Sequence, residues 1–349
     1  MTGGRGPYLS CGRLLVQPTA RALLPRLDTL IFDVDGVLLD ARASFWQAAA
    51  EATRSYLHLI LGWPKSALYF SADQVARFKV LAGFNDEVEI AFIAVLWNVV
   101  RSRLAGTNDP RKLRRRSPGL GKLLAHLADG GGPRAAEAWL LSQLGKAERA
   151  EALASCDPEA LTQLFRESYV GRRLCEKFYR VQPRYLNRKQ GLLERERPLI
   201  DPNLLPPGIC KFGIYSGRFP EEIKDALERT GLRKRLLGSR LVIAQEGMAK
   251  PDPAGLVKIV RNLDSRAALL VGDSPDDHEA ALRYRKRPGR PPLLSAIVLT
   301  GALGRTEAKA LRPDLIAPEV NSLLRWLGAV QGGDRLERHC PQARRKELP

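Results

Sequence analysis

No stretch of the chain approaches the roughly 18 consecutive apolar residues that a membrane-spanning helix needs. The longest apolar run, IAFIAVLWNVV at 90–100, predicts a buried helix instead. Cysteine is scarce and scattered: Cys11, Cys156, Cys175, Cys210 and Cys340 are odd in number and contain no CxxC pair. This argues against a disulfide framework and a cysteine-rich zinc site, and points to a reducing, cytoplasmic compartment. The four histidines form no HExxH or comparable ligand spacing. No acidic residue precedes Asp28, and the N-terminal stretch lacks the apolar core of a signal peptide. Residues 1–27 are therefore read as a disordered N-terminal extension. No internal repeat of fixed period is visible.

What the chain does contain is enough apolar material for a sizeable core. It has 349 residues, 44% hydrophobic and 27% charged, which fits one large domain or two of ordinary size. The net charge of +18 favours anionic partners. Arginine dominates the cations and is scattered along the chain, as a biased genome composition would also produce, and the case for nucleic acid rests on charge alone. The one dense basic run, RKLRRR at 111–116, sits in a Pro- and Gly-containing stretch and reads as a solvated loop.

Residues 28–34 read as a short β-strand before a glycine. From 41 to 204 the pattern is helical. ARASFWQAAAEATRSYLHLIL repeats apolar residues every three or four positions, and Ser71 is placed to cap SADQVARFKVLAGF. From 205 to 330 strands and helices alternate: ICKFGIYSG, SRLVIAQ, AALLVGD and LLSAIVLTG are separated by single helices, and PDLIAPEVNSLLRWL suggests a last strand and helix. Single-helix crossovers imply parallel pairing. The expected architecture is α/β, with a parallel sheet formed by 28–40 and 205–330, helices on both faces, and an all-helical insertion over 41–204. The polar stretch 331–349 is read as a loose C-terminal tail.

The chemistry concentrates at strand ends. In LIFDVDGVLLD, at 30–40, Asp33 and Asp35 sit one residue apart where a buried strand meets a loop. Side chains in an extended segment alternate, so the two carboxylates start on one side. Two like charges so close repel, and a divalent cation relieves the repulsion. One carboxylate is then available as nucleophile and the other for proton transfer. Ser216 and Gly217 end the next strand, where a hydroxyl and backbone N–H groups suit a phosphate oxygen. Lys250, in GMAKPDP, is a cation able to neutralise a phosphoryl group. VGDSPDD places Asp273 at a strand end with Asp276 and Asp277 close behind, hard oxygen ligands of the kind Mg²⁺ selects. Each feature alone has a plainer reading as a turn, a solvated lysine or a helix cap.

Together, DVDGV, IYSG, AKPDP and GDSPDD resemble the four motifs of the haloacid dehalogenase-like hydrolase superfamily, over about 28–45 and 208–317. The helical insertion between the first two motifs resembles the cap of the phosphoglycolate phosphatase-like branch. The resemblance implies a Rossmannoid core and Mg²⁺ as cofactor. It implies Asp33 as a nucleophile that forms an aspartyl-phosphate, and Asp35 as general acid and base. Asp33, the Asp35 backbone carbonyl and Asp273 would be metal ligands, with Asp277 supporting the metal site. Ser216, Gly217 and Lys250 would bind phosphate. The presence of Asp35 favours phosphate esters over haloacids. The implied function is Mg²⁺-dependent hydrolysis of a small phosphorylated metabolite. A phosphomutase or phosphotransferase on the same scaffold, and a non-catalytic binding protein, are the alternatives. Inside the insertion, FKVLAGFNDEVEI (78–90) and GLLERERPLI (191–200) are similar to a less characterised phosphatase-like subgroup whose members often read FKxxGGFNNDW. Here Ala82 replaces the first Gly, and Glu87-Val88 replaces Asp-Trp. Lys79 and Asn85 are expected either to contact substrate or to shape a helix-turn.

Overall fold

Among the described residues the chain forms ten strands, most of them separated by helices. They are β1 (Leu9–Cys11), β2 (Leu14–Val16), β3 (Thr29–Phe32), β4 (Leu39–Asp40), β5 (Arg197–Pro198), β6 (Lys211–Tyr215), β7 (Arg240–Ala244), β8 (Ala268–Gly272), β9 (Leu293–Val298) and β10 (Leu315–Ala317). The computed structural model describes residues 8–332 apart from 117, 129, 237–239 and 245–249. The chain divides into two units, one formed by the residues up to Asp40 and from Arg197 onward, the other by Ala41–Glu196.

In the first unit eight strands form one sheet in the order β1-β2-β10-β9-β8-β3-β6-β7. The six strands from β10 to β7 pair in parallel. Alternation of side chains sends Leu30 and Phe32 to one face and Ile31 to the other, and all three are fully buried. Leu30 and Phe32 join Ile223 and Ala226 of helix Pro220–Arg229 and Leu323 and Leu327 of helix Val320–Gln331. Ile31 joins Leu256 and Ile259 of helix Ala254–Asn262 and Ala281 and Tyr284 of helix Pro275–Arg285. The sheet is thus covered on both faces, as a parallel sheet requires.

The expectation of a disordered start over 1–27 is corrected from residue 8 onward. β1 and β2 form a hairpin on the edge of the sheet, with Val16 opposite Leu315 and Leu15 opposite Ile316. Leu14, Leu15 and Val16 are buried, and the Gln17 backbone N–H donates to the Asp314 carbonyl at 2.8 Å. Strands of three residues are too short to show an alternating pattern, so composition hid them. The chain also returns to this unit at Arg197 rather than 205, because β5 pairs antiparallel with β4. The polar tail expected over 331–349 lies outside the described residues from 333 onward. Of the four described cysteines, Cys156, Cys175 and Cys210 are free.

The N-terminal end of the sheet is tied by one carboxylate. Asp28 accepts from Lys211 Nζ at 2.9 Å, Thr29 Oγ1 at 2.8 Å, and the Arg266 and Ala267 backbone N–H groups at 3.1 and 3.3 Å. Partial burial works to raise its pKa, but Lys211, Thr29 and the two backbone donors outweigh that and hold it well below the usual carboxylate value. A depressed carboxylate adds stability above its unfolded pKa of roughly 3.9, and the gain is lost as pH falls through the folded value. Asp28→Asn is therefore expected to cost about 1 kcal/mol near pH 7, allowing for solvent screening. The gap from wild type in urea midpoint should narrow steadily below about pH 4. A gap that is constant between pH 7 and pH 2 would contradict the assignment.

The second unit contains only helices among its described residues. Helix Glu87–Ala105 carries the long apolar run, with Ile90, Ile93, Leu96, Val99 and Val100 buried. Asp86 starts it by accepting from the Val88 backbone N–H at 2.7 Å. Ser71 caps helix Ala72–Lys79 as the sequence predicts, with Gln74 reaching back to the Ser71 backbone N–H at 3.0 Å. Glu167, fully buried, accepts from the backbone N–H groups of Tyr185 and Leu186 at 2.9 and 2.6 Å and so anchors a loop that has no regular structure. Among the described residues, no helix is long and apolar enough to cross a membrane.

Candidate active site

β8, β3, β6 and β7 are neighbours in the sheet and run parallel, so their C-terminal tips lie along one edge. Phe32 pairs with both Val271 and Ile214. The next residues on these strands are Asp33, Gly272 and Tyr215, with Asp273 and Ser216 one step further. Parallel register alone therefore brings three separate motifs to one level. Open α/β sheets bind ligands at such edges.

Lys250 links the fourth motif to the first. Its Nζ lies 2.8 Å from Asp33 Oδ1 and 2.7 Å from Asp277 Oδ1. All three side chains are almost completely buried. Burial pushes the Asp33 carboxyl above the ordinary carboxylate value; Lys250 pulls against this, while Asp277 and Asp35 push with it. Burial alone would lower the Lys250 ammonium, but Asp277 and Asp33 more than offset it, and Lys250 stays charged.

The oxygens of these groups are not equivalent. Asp33 Oδ1 accepts from Lys250 and from the Val34 backbone N–H at 2.7 Å, whereas Oδ2 has no hydrogen-bond donor among the described residues. Asp277 Oδ2 accepts from Ser274 Oγ at 2.7 Å and from the backbone N–H groups of Asp273 and Ser274 at 3.2 Å. With Lys250 on its other oxygen, Asp277 has both ends engaged. This follows from its place in the first turn of helix Pro275–Arg285, where Ser274 is the N-cap.

Asp33, Asp273 and Asp277 each place a carboxylate oxygen within 4.8 Å of the other two. Three carboxylates facing one ammonium leave an excess of negative charge, and hard oxygen donors of this kind suit Mg²⁺. Room for the Asp273 carboxylate is made by two glycines. A Cβ on Gly36 would sit 2.2 Å from Asp273 Oδ2, and one on Gly301 would sit 1.8 Å from it. Gly36 also has φ +68°, which L-residues adopt at a cost. Thr300 Oγ1 donates to the Gly36 carbonyl and fastens the two glycine turns together.

Asp35 faces Arg218, whose Nη2 lies 2.7 Å from Asp35 Oδ1. Ser216 is buried, and its Oγ accepts from the Arg218 backbone N–H at 3.3 Å. Gly217, between them, is exposed, with open space where a Cβ would stand. Sequence reading missed Arg218, Thr300 and Gly301. Arg218 directly follows the Ser-Gly pair, which was a usable signal. Thr300 and Gly301 look like any strand end. Lys79 and Asn85, in the helical unit, do meet: Lys79 Nζ donates to the Asn85 carbonyl at 2.8 Å and pairs with Glu87 at 2.9 Å. Those contacts fasten the end of one helix to the start of the next.

A model of the haloacid dehalogenase-like hydrolases matches residues 203–284. Over that stretch the chain is similar to the haloacid dehalogenase-like hydrolases. That stretch holds Ser216, Lys250, Asp273 and Asp277, and β3 adds Asp33 and Asp35 beside them. Among solved structures, a phosphatase from Thermococcus thioreducens, Tt82, is 20% identical, with a TM-score of 0.52 over 87% of this chain and 99% of its own. A crystal structure titled as a putative phosphoglycolate phosphatase from Lactobacillus delbrueckii subsp. bulgaricus is 16% identical, with a TM-score of 0.49 over 86% and 98%. The first of these likenesses supports the fold. No curated protein matches the chain by sequence. Asp33, Ser216 and Asp273 stand just beyond the tips of adjacent parallel strands, and Asp277 on the helix that follows β8.

Proposed function

We propose that the chain hydrolyses the phosphate monoester of a small metabolite, with Mg²⁺ as cofactor and Asp33 as nucleophile. The observation that carries this reading is the buried Lys250 ammonium held between Asp33 and Asp277, beside Asp273. Asp33 and Asp273 would hold the cation directly, with the Asp35 carbonyl as a further ligand. Asp277, engaged at both oxygens, would act from behind. A cation bound there supplies positive charge that offsets the carboxylates and the incoming phosphate.

In the first step Asp33 Oδ2 attacks phosphorus, the ester P–O bond breaks, and the leaving oxygen takes a proton from Asp35. In the second, Asp35 takes a proton from water, the water oxygen bonds to phosphorus, and the P–O bond to Asp33 breaks. Ser216, Lys250 and the backbone N–H groups after β6 hold the equatorial oxygens, where preorganised donors stabilise developing charge most effectively.

The test is phosphate release from a panel of phosphorylated metabolites with added Mg²⁺. Release from at least one is expected, and EDTA should remove it by at least about 100-fold, since the cation offsets several kcal/mol of charge. Transfer of phosphate to a second sugar hydroxyl in place of water would identify a phosphotransferase instead. No release or transfer from any substrate would overturn the enzyme reading.

The glycine turns give a finer prediction. Gly301→Ala places its Cβ against the end of the Asp273 side chain, which can swing aside without unfolding the protein. The variant should melt within a few degrees of wild type but need about 10–100-fold more Mg²⁺ for half-maximal activity. An unchanged Mg²⁺ requirement would show that Asp273 is not a ligand.

A further inference from the structure

We propose, building on the phosphatase reading, that Arg218 is the positioning residue for Asp35 and that it selects Oδ2 of that carboxylate for proton transfer. The Arg218 side chain is only 1% exposed, whereas that of Asp35 is 34% exposed. A buried guanidinium therefore grips a carboxylate that reaches toward solvent. The grip is uneven. Asp35 Oδ1 receives Nη2 at 2.7 Å and Nε at 3.1 Å, while Oδ2 receives only Nε, at 3.3 Å. These are all the hydrogen bonds of the Asp35 carboxylate among the described residues.

An oxygen that already accepts two N–H bonds has no lone pair directed at a leaving group. The other oxygen does. Arg218 thus fixes the side-chain rotation of Asp35 and leaves one oxygen to carry the proton. A lysine would not reproduce this, because its ammonium is a point charge on a flexible stem, not a planar fork.

Arg218 is itself held firmly. Its backbone N–H donates to Ser216 Oγ at 3.3 Å. The next residue, Phe219, is the N-cap of helix Pro220–Arg229, and its backbone N–H donates to Glu222 Oε2 at 2.8 Å. The loop that presents the phosphate-binding serine therefore also presents the group that orients the acid. Phosphate recognition and proton delivery are coupled through the three residues Ser216-Gly217-Arg218.

The experiment compares kcat/KM for 4-nitrophenyl phosphate, phenyl phosphate and an alkyl phosphate in wild type, Arg218→Met and Arg218→Lys. A nitrophenolate departs without protonation, whereas an alkoxide requires a well-placed acid. A misplaced acid should cost about 100-fold on the alkyl ester and less than about tenfold on the nitrophenyl ester, with phenyl phosphate between. Arg218→Lys should show the same graded loss, and it carries the test if Arg218→Met does not fold. Combined with Asp35→Asn, either change should add little further loss, because both act on one proton transfer. An equal loss on all three esters, a loss that multiplies with that of Asp35→Asn, or no loss would overturn the assignment. A wild-type enzyme inactive on every ester would instead overturn the phosphatase reading itself.

Discussion

Asp33→Asn should abolish phosphate release and leave the fold intact. The amide keeps the shape of the side chain and an oxygen that can accept from Val34 N–H and Lys250, the two groups that now hold Oδ1. What it loses is the second anionic oxygen, Oδ2, the one left without donors among the described residues. A nucleophile has no substitute nearby, because Asp277 is engaged at both oxygens and Asp35 is gripped by Arg218. Removing a nucleophile from an enzyme that forms a covalent intermediate costs on the order of 10⁴–10⁶ in kcat. Far-ultraviolet circular dichroism and the melting temperature should report a folded protein. Acid quenching during turnover should trap phosphate on wild-type protein and none on the variant. Wild-type turnover by Asp33→Asn would remove Asp33 from the mechanism.

The parts of this site that sequence reveals are those bound to strand ends. Asp33, Ser216 and Asp273 each end an apolar run, and a parallel sheet must bring such ends to one edge. Their convergence is a consequence of period and topology, so it is legible in one chain. Lys250 is different. It follows β7 by several residues, and only the structure shows its ammonium within 2.8 Å of both carboxylates. Thr300 and Gly301 were invisible for a similar reason, since what they do depends on closeness across the site: a Cβ on Gly301 would fall only 1.8 Å from Asp273 Oδ2. Arg218 had a signal in its place after Ser216-Gly217, but its 2.7 Å contact with Asp35 did not. The edge hairpin β1–β2 escaped because three residues are too few to display alternation. The long helix Glu87–Ala105 shows the opposite case, in which length and apolar content made the assignment straightforward.

Lys250→Met should be the most destabilising single change at the site as well as a null in activity. The ammonium stands between Asp33 and Asp277 in a pocket almost closed to water. Methionine fills a similar volume and brings no charge, so the two carboxylates are left to repel each other without solvent to screen them. Breaking a buried pair in this way costs about 3–5 kcal/mol. Two further results follow if the cause is stranded charge rather than lost packing. Adding Asp33→Asn to Lys250→Met should restore part of the stability, since it removes one of the two anions. Mg²⁺ should raise the melting temperature of Lys250→Met more than that of wild type, because the cation takes over part of the role of the ammonium and binding to the folded state stabilises it. Denaturant titrations of the two single variants and the double variant complete the cycle. Strict additivity of the two changes would assign the loss to packing, and the electrostatic account of the buried triad would then be wrong.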